Sequence, residues 1–157
     1  MQADFTGRDG VVKVTSGYTG GTTNNPTYEQ VSGGATGHAE SIEVMYDPTK
    51  ITYEKLLEIH WDNIDPTDKG GQFADRGTQY RTAIFYLNDT QHNAAEASKK
   101  AIGAKLKQPV YTEITAAGTF YPAEEYHQDY YKKNPVHYNA YKYGSGRVER
   151  LKELWEN

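Results

Sequence analysis

The chain has 157 residues, a formal charge of −4, 36% hydrophobic residues, 14 tyrosines and no cysteine. That length suits one domain able to bury a core, and the aromatic residues spread along it argue against disorder. The mixed acidic charge disfavours nucleic-acid binding, no apolar run approaches the ~20 residues that span a bilayer, and the missing cysteines exclude disulfides, thiolate metal sites and thiol chemistry by the chain's own residues.

The polar start, Met1 to Gly10, lacks the apolar stretch of a signal peptide, so a cytoplasmic setting is expected. Val11 to Thr15 reads as a short β-branched strand ended by Gly17-Tyr18-Thr19-Gly20-Gly21. Ser41 to Tyr46 alternates, with Ile42, Val44 and Tyr46 on one side, which predicts a second strand stopped by Asp47-Pro48. Thr52 is a candidate N-cap for a helix carrying Leu56, Leu57, His60 and Trp61 on its apolar face. Asp65-Pro66-Thr67 breaks it, and a glycine-bearing loop runs from Lys69 to Gly77.

Tyr80 to Leu87 is a nearly continuous apolar run, read as a central strand covered on both faces. Asp89 or Thr90 is expected to cap a long helix ending near Leu106, with Ala94, Ala97 and Ala101 as its packing face. Val110 to Ile114 predicts a strand and Ala123 to Lys133 a helix. Asn134 to Gly146 reads as irregular, and Arg147 to Trp155 as a tail helix anchored by Leu151, Leu154 and Trp155. Helices interspersed among strands predict an α/β (α+β) two-layer sandwich, with a mixed, mostly antiparallel sheet flanked by helices.

Polar residues beside glycines and strand ends are the candidates for chemistry. Tyr18 reads either as a loop tyrosine packed on its own turn or as a hydroxyl donor in a pocket. Glu40, at the mouth of the second strand, reads either as a solvated carboxylate or as an acid whose pKa rises in a tyrosine-lined pocket. Tyr80 would aim its hydroxyl into the same cavity, with Asp75 orienting it or holding a water, and Arg81 is expected on the opposite face. His38 is read as a structural hydrogen-bond donor. Glu124, His127 and Tyr130, spaced for one helix face, are read as a supporting network. The histidine spacings match no metal motif, so no metal is expected.

Taken together, the words Ser16-Gly17-Tyr18-Thr19-Gly20-Gly21, Asn25-Pro26-Thr27-Tyr28, Gly37-His38-Ala39-Glu40, Tyr46-Asp47-Pro48, Asp65-Pro66-Thr67, Gly77-Thr78-Gln79-Tyr80-Arg81, Ala123-Glu124-Glu125-Tyr126-His127-Gln128 and Ser145-Gly146-Arg147 are specific. In this order they resemble the A-type peptide methionine sulfoxide reductases over most of the chain. The resemblance implies an α/β sandwich enzyme of oxidative-stress repair that reduces the S-epimer of methionine sulfoxide, free or in proteins, with no cofactor. A thiolate attacks the sulfoxide sulfur, and thioredoxin or another dithiol recycles the site. By this analogy Glu40 protonates or hydrogen-bonds the sulfoxide oxygen, Tyr18 and Tyr80 hydrogen-bond it, and Asp75 supports the site. A monomer is expected.

The departure from the pattern is as specific. The family nucleophile lies in a Gly-Cys-Phe-Trp word at the end of a first strand, and that word would fall immediately before Met1. Some members carry a resolving cysteine where this chain has Ser145. Residues 1–157 are thus expected to form a single domain of this type, N-terminally incomplete, with unpaired sheet backbone where the strand should be. Three accounts stay open: a fragment of an active enzyme, a protein whose nucleophile segment is supplied separately, and a silent homologue that binds methionine sulfoxide or is merely structural.

Overall fold

The computed structural model describes residues 1–156. After a short helix α1 (Gln2–Phe5), strand β1 (Val11–Thr19) runs through the glycine at 17 and carries Tyr18 inside the sheet, four residues beyond the predicted end at Thr15. Gly17 is required there: a Cβ at that position would collide with the Phe120 ring and the Tyr121 carbonyl on the neighbouring strand. Helix α2 (Tyr28–Ser32) opens on a capping box between Thr27 and Gln30. Strand β2 (Ala39–Tyr46) pairs antiparallel with β1.

Thr52 caps α3 (Tyr53–Asp62) as expected, its hydroxyl accepting from the Lys55 amide at 3.1 Å. The glycine-bearing loop folds into a two-rung hairpin, β3 (Gly71–Gln72) and β4 (Asp75–Arg76), braced by a forked Arg76–Asp68 pair at 2.5 and 2.8 Å. Tyr80 lies in the 3-10 turn Thr78–Tyr80, and the central strand is shorter than predicted: β5 (Ala83–Tyr86). The N-cap of α4 (Asp89–Leu106) is Asn88, one residue earlier than expected, and its side chain accepts from the Gln91 amide. Of the predicted alanine stripe of α4 only Ala94 packs against the core. Ala97 and Ala101 are exposed, Ala95 is fully buried, and Ser98 accepts the Trp61 indole N–H at 3.0 Å.

Strand β6 (Glu113–Ala116) runs parallel to β5, and β7 (Tyr121–Pro122) pairs antiparallel with β1. The predicted helix from 123 to 133 is broken. A 3-10 turn, Glu125–His127, is followed by extended Gln128 and by Asp129 at φ 53°, and only then by α5 (Tyr130–Lys133). The Gln128 side chain explains the break: it accepts from the Ser16 amide at 2.9 Å and donates to the Ser16 and Ala123 carbonyls at 2.8 and 3.0 Å. Those bonds lock the chain against β1 and leave no helical path. The stretch read as irregular contains α6 (Pro135–Gly144), with proline at its first position, where no N–H is needed. Helix α7 (Arg147–Trp155) has the predicted bounds.

The fold is the expected mixed, mostly antiparallel α/β arrangement. Its strands form three separate sheets: β2-β1-β7, β3-β4 and β5-β6. Two apolar clusters match this division. One joins Phe5, Val14, Ile51, Leu56 and Ile59 over β1 and β2; the other joins Leu57, Trp61, Ile64, Ile84 and Ala95 over β5 and β6. Helix α3 contributes to both clusters, through Leu56 and Ile59 on one side and Leu57 and Trp61 on the other. No helix among the described residues is long and apolar enough to cross a membrane.

Candidate active site

The register of β1 on β2 places Tyr18 directly opposite Glu40. Directly opposed residues of an antiparallel pair share a face, with Cβ atoms about 5 Å apart. Extending β1 to Thr19 is therefore what brings the phenol to the acid. The β3–β4 hairpin and the 3-10 turn after it supply Asp75 and Tyr80. All four side chains line one cavity of about 600 Å³ with mainly apolar walls.

Glu40 is exposed, but into this cavity, with protein around it on most sides. The resulting loss of hydration, reinforced by the nearby Asp75 carboxylate, pushes its pKa up to about 7, while the amino group of Met1 pulls the other way. Tyr18 is only 2% exposed and its hydroxyl donates to Glu124 Oε1 at 3.4 Å; burial and that carboxylate hold the phenol well above its ordinary pKa. Burial, with Glu40 and Asp75 adding to it, pushes Tyr80 up to about 12. Near neutral pH the cavity thus presents two protonated phenols beside a carboxyl group that is about half protonated. Such a set donates hydrogen bonds and can hand a proton to an oxygen on which negative charge grows.

The remaining candidates stand around this cluster. Glu124 accepts from both Tyr18 and Tyr126, the latter at 3.1 Å. His38 is buried; its Nδ1 accepts from the Gly21 amide at 3.0 Å and its Nε2 donates to the Thr23 carbonyl at 2.7 Å. This fixes the neutral tautomer and ties the loop after β1 to the start of β2. His127 lines the cavity but does not share a helix face with Glu124 or Tyr130, because the helix breaks there. Its ring lies between Tyr28 and Tyr126, with centroids at 4.3 and 4.2 Å. Arg81 does not turn away on an opposite strand face. It precedes β5, lines the same cavity, pairs with Glu113 at 3.0 Å and donates to the Thr78 and Gly37 carbonyls.

Two side chains escape sequence reasoning. Tyr141 of α6 donates to Asp75 Oδ1 at 2.5 Å and so holds the carboxylate in place. The signal was the proline followed by Tyr138 and Tyr141 at helical spacing. His60 also lines the cavity, its Nε2 has no hydrogen-bond partner, and burial pushes its pKa down to about 4. The apolar spacing placed it on the helix face but gave no sign of this. Among the described residues no cluster of His, Asp and Glu is arranged to hold a metal ion.

A family model described as "Peptide methionine sulfoxide reductase" matches residues 1–157. The peptide methionine sulfoxide reductase MsrA of Bacillus licheniformis is 55% identical over 157 residues, covering 99% of this chain and 87% of that protein. Among solved structures, methionine sulfoxide reductase A of Corynebacterium diphtheriae superposes with a TM-score of 0.77 at 36% identity, covering 86% of this chain and 69% of that one. Reduced Mxr1 from Saccharomyces cerevisiae gives 0.80 at 33% identity, covering 86% and 78%. Mxr1 in complex with Trx2 shares the fold at 24% identity, with a TM-score of 0.53 over 78% of this chain and 68% of that one.

Proposed function

Because the chain belongs to the peptide methionine sulfoxide reductase family, we propose that its cavity binds the S-epimer of methionine sulfoxide, free or in oxidised proteins, with the oxygen among Glu40, Tyr18 and Tyr80. The observation that carries this reading is the convergence of a near-neutral carboxyl and two phenols on one mainly apolar cavity. A sulfoxide has a basic oxygen and two apolar arms. The oxygen takes hydrogen bonds from Glu40 and Tyr80, and from Tyr18 once its hydroxyl turns away from Glu124, and the apolar walls take the arms.

In the reaction a thiolate attacks the sulfoxide sulfur, Glu40 delivers a proton as the S–O bond breaks, and the oxygen leaves on the attacking sulfur as a sulfenic acid. The thioether is the reduced product. A dithiol then returns the sulfenic acid to thiol, forming a disulfide and water. Asp75, held by Tyr141, positions Tyr80 and raises the affinity of Glu40 for its proton; Glu124 positions Tyr18, and His38 and His127 support the walls. A dithiol protein of the thioredoxin type is the proposed regenerating partner, as the complex of Mxr1 with Trx2 supports.

The scaffold is that of a reductase, yet none of its 157 residues is a cysteine, so it has no nucleophile of its own. That absence favours a second reading, in which the same cavity binds the sulfoxide without turning it over. The two share one test of the site. Titration with blocked methionine S-sulfoxide, followed by NMR of the tyrosine rings, is expected to shift Tyr18 and Tyr80, to favour S over R, and to weaken at least about tenfold in Glu40→Ala/Tyr80→Phe. Equal binding of both epimers, or binding indifferent to that double change, overturns the site assignment.

A further inference from the structure

The chain carries 14 tyrosines, two tryptophans and no cysteine, so an electron lost to a one-electron oxidant comes from an aromatic ring. A phenol yields that electron readily only if its proton leaves in the same step, because the phenol radical cation is a strong acid. The partner of each hydroxyl therefore decides which ring is oxidised first. The Tyr130 hydroxyl donates to His137 Nδ1, with the imidazole's own proton on Nε2. The two residues stand seven apart, one on α5 and one in the first turn of α6, and their rings meet edge-on with centroids at 6.1 Å. Among the described residues the other hydrogen-bonded phenols donate to carboxylates (Tyr18, Tyr126 and Tyr141) or to an amide oxygen (Tyr121). An ordinary imidazole, with a pKa of about 6.5, is a stronger base than a carboxylate at about 4, and an amide oxygen is weaker than either. Competing rings are handicapped in other ways. Lys132 lies over the Tyr131 ring at 5.6 Å and Lys105 over that of Trp155 at 5.4 Å, where a cation opposes the positive charge that oxidation creates. Trp61 is sealed in the core. Tyr130 is half-buried on the cavity wall and His137 is exposed, so a proton taken by the imidazole passes on to water.

We propose that Tyr130 is a one-electron donor to small oxidising radicals and that His137 takes its proton in the same step. The electron passes from the phenol to the oxidant, the O–H bond breaks and an Nδ1–H bond forms. The products are a neutral phenoxyl radical on Tyr130, an imidazolium on His137 and the reduced oxidant. A hydrogen-atom donor such as ascorbate then restores the phenol, and the imidazolium returns its proton to water. This activity needs no thiol and stands independently of the sulfoxide reading of the cavity.

The test uses the whole chain and hexachloroiridate(IV), which accepts one electron and no proton. Stopped-flow absorbance is expected to show a fast phase of iridium reduction, and freeze-quench EPR a phenoxyl signal. Both should vanish in Tyr130→Phe and persist in Tyr131→Phe. His137→Ala, a change at an exposed position, should slow the fast phase at least about tenfold, and free imidazole should restore it. The parent's fast phase should also be slower in D2O than in H2O, which a merely structural role for His137 would not produce. A fast phase that survives in Tyr130→Phe places the donor elsewhere and overturns the proposal. A phase indifferent to His137→Ala, equal in the two waters, or lost in that variant without rescue by imidazole overturns it as well.

Discussion

Glu40 combines two environments that rarely coincide in a surface acid: apolar walls and a second carboxylate nearby. Its folded pKa, about 7, lies above the ordinary 4.5, so the folded chain holds the proton more tightly than the unfolded chain between those values. Stability therefore falls as pH rises through that window, and the loss is complete above it. Cavity water screens part of the effect, leaving about 1 kcal/mol. Glu40→Gln is expected to abolish this slope and to match or exceed the parent's stability at pH 8, as urea unfolding across pH would record. A parent slope of the opposite sign attributable to Glu40 would place the carboxylate in a polar setting. The acid itself was legible in the sequence from its place at a strand mouth among tyrosines. Its pairing with Tyr18 was not, because β-branched propensity ended β1 too early. Only the close approach of Phe120 and Tyr121 explains why the strand continues through Gly17.

At the scale of elements, α3 bridges the two apolar clusters and is the natural place to probe coupling. Thr52→Ala removes the bond to the Lys55 amide and should cost about 1 kcal/mol in denaturant unfolding. His60 on the same helix is half-buried with its Nε2 enclosed, and burial holds its folded pKa at about 4 against 6.5 when unfolded. The unfolded chain binds more protons between those values, so stability is lost as pH falls through them, by about 3 kcal/mol. The variant His60→Leu should lack this acid limb; an unchanged limb would assign it to other groups. In the overlap of the two windows the Glu40 and His60 slopes oppose each other, so the single variants, rather than the parent profile, resolve them. Gln128→Ala strips partners from the Ser16 amide and the Ala123 carbonyl, and about 2 kcal/mol is expected to be lost. This residue also explains a misreading: the local pattern from 123 to 133 is helical, but long-range bonds to β1 outweigh it. The reverse happened in α6, where tyrosines and asparagines disguised a helix that opens on Pro135.

For the molecule as a whole, the sandwich class and the order of its major elements followed from hydrophobic period and turn residues. Val44 and Leu57 announce their faces without any structure. The division of the sheet did not follow, since strand pairing is long-range and no single segment encodes it. That division leaves two half-cores and an open seam, with the candidate site at the end of the seam. A molecule so built should unfold with less cooperativity than its size suggests, and the β5–β6 half should exchange its amides faster than β1–β2.

On the proposed function, the cavity is a sulfoxide site with no attacking sulfur among the 157 residues. The direct measurement is turnover of methionine S-sulfoxide with dithiothreitol, using protein whose intact mass matches residues 1–157. No thioether above the uncatalysed background is predicted. Catalytic formation of methionine by that material would contradict the account, because no group in the chain could have supplied the thiolate.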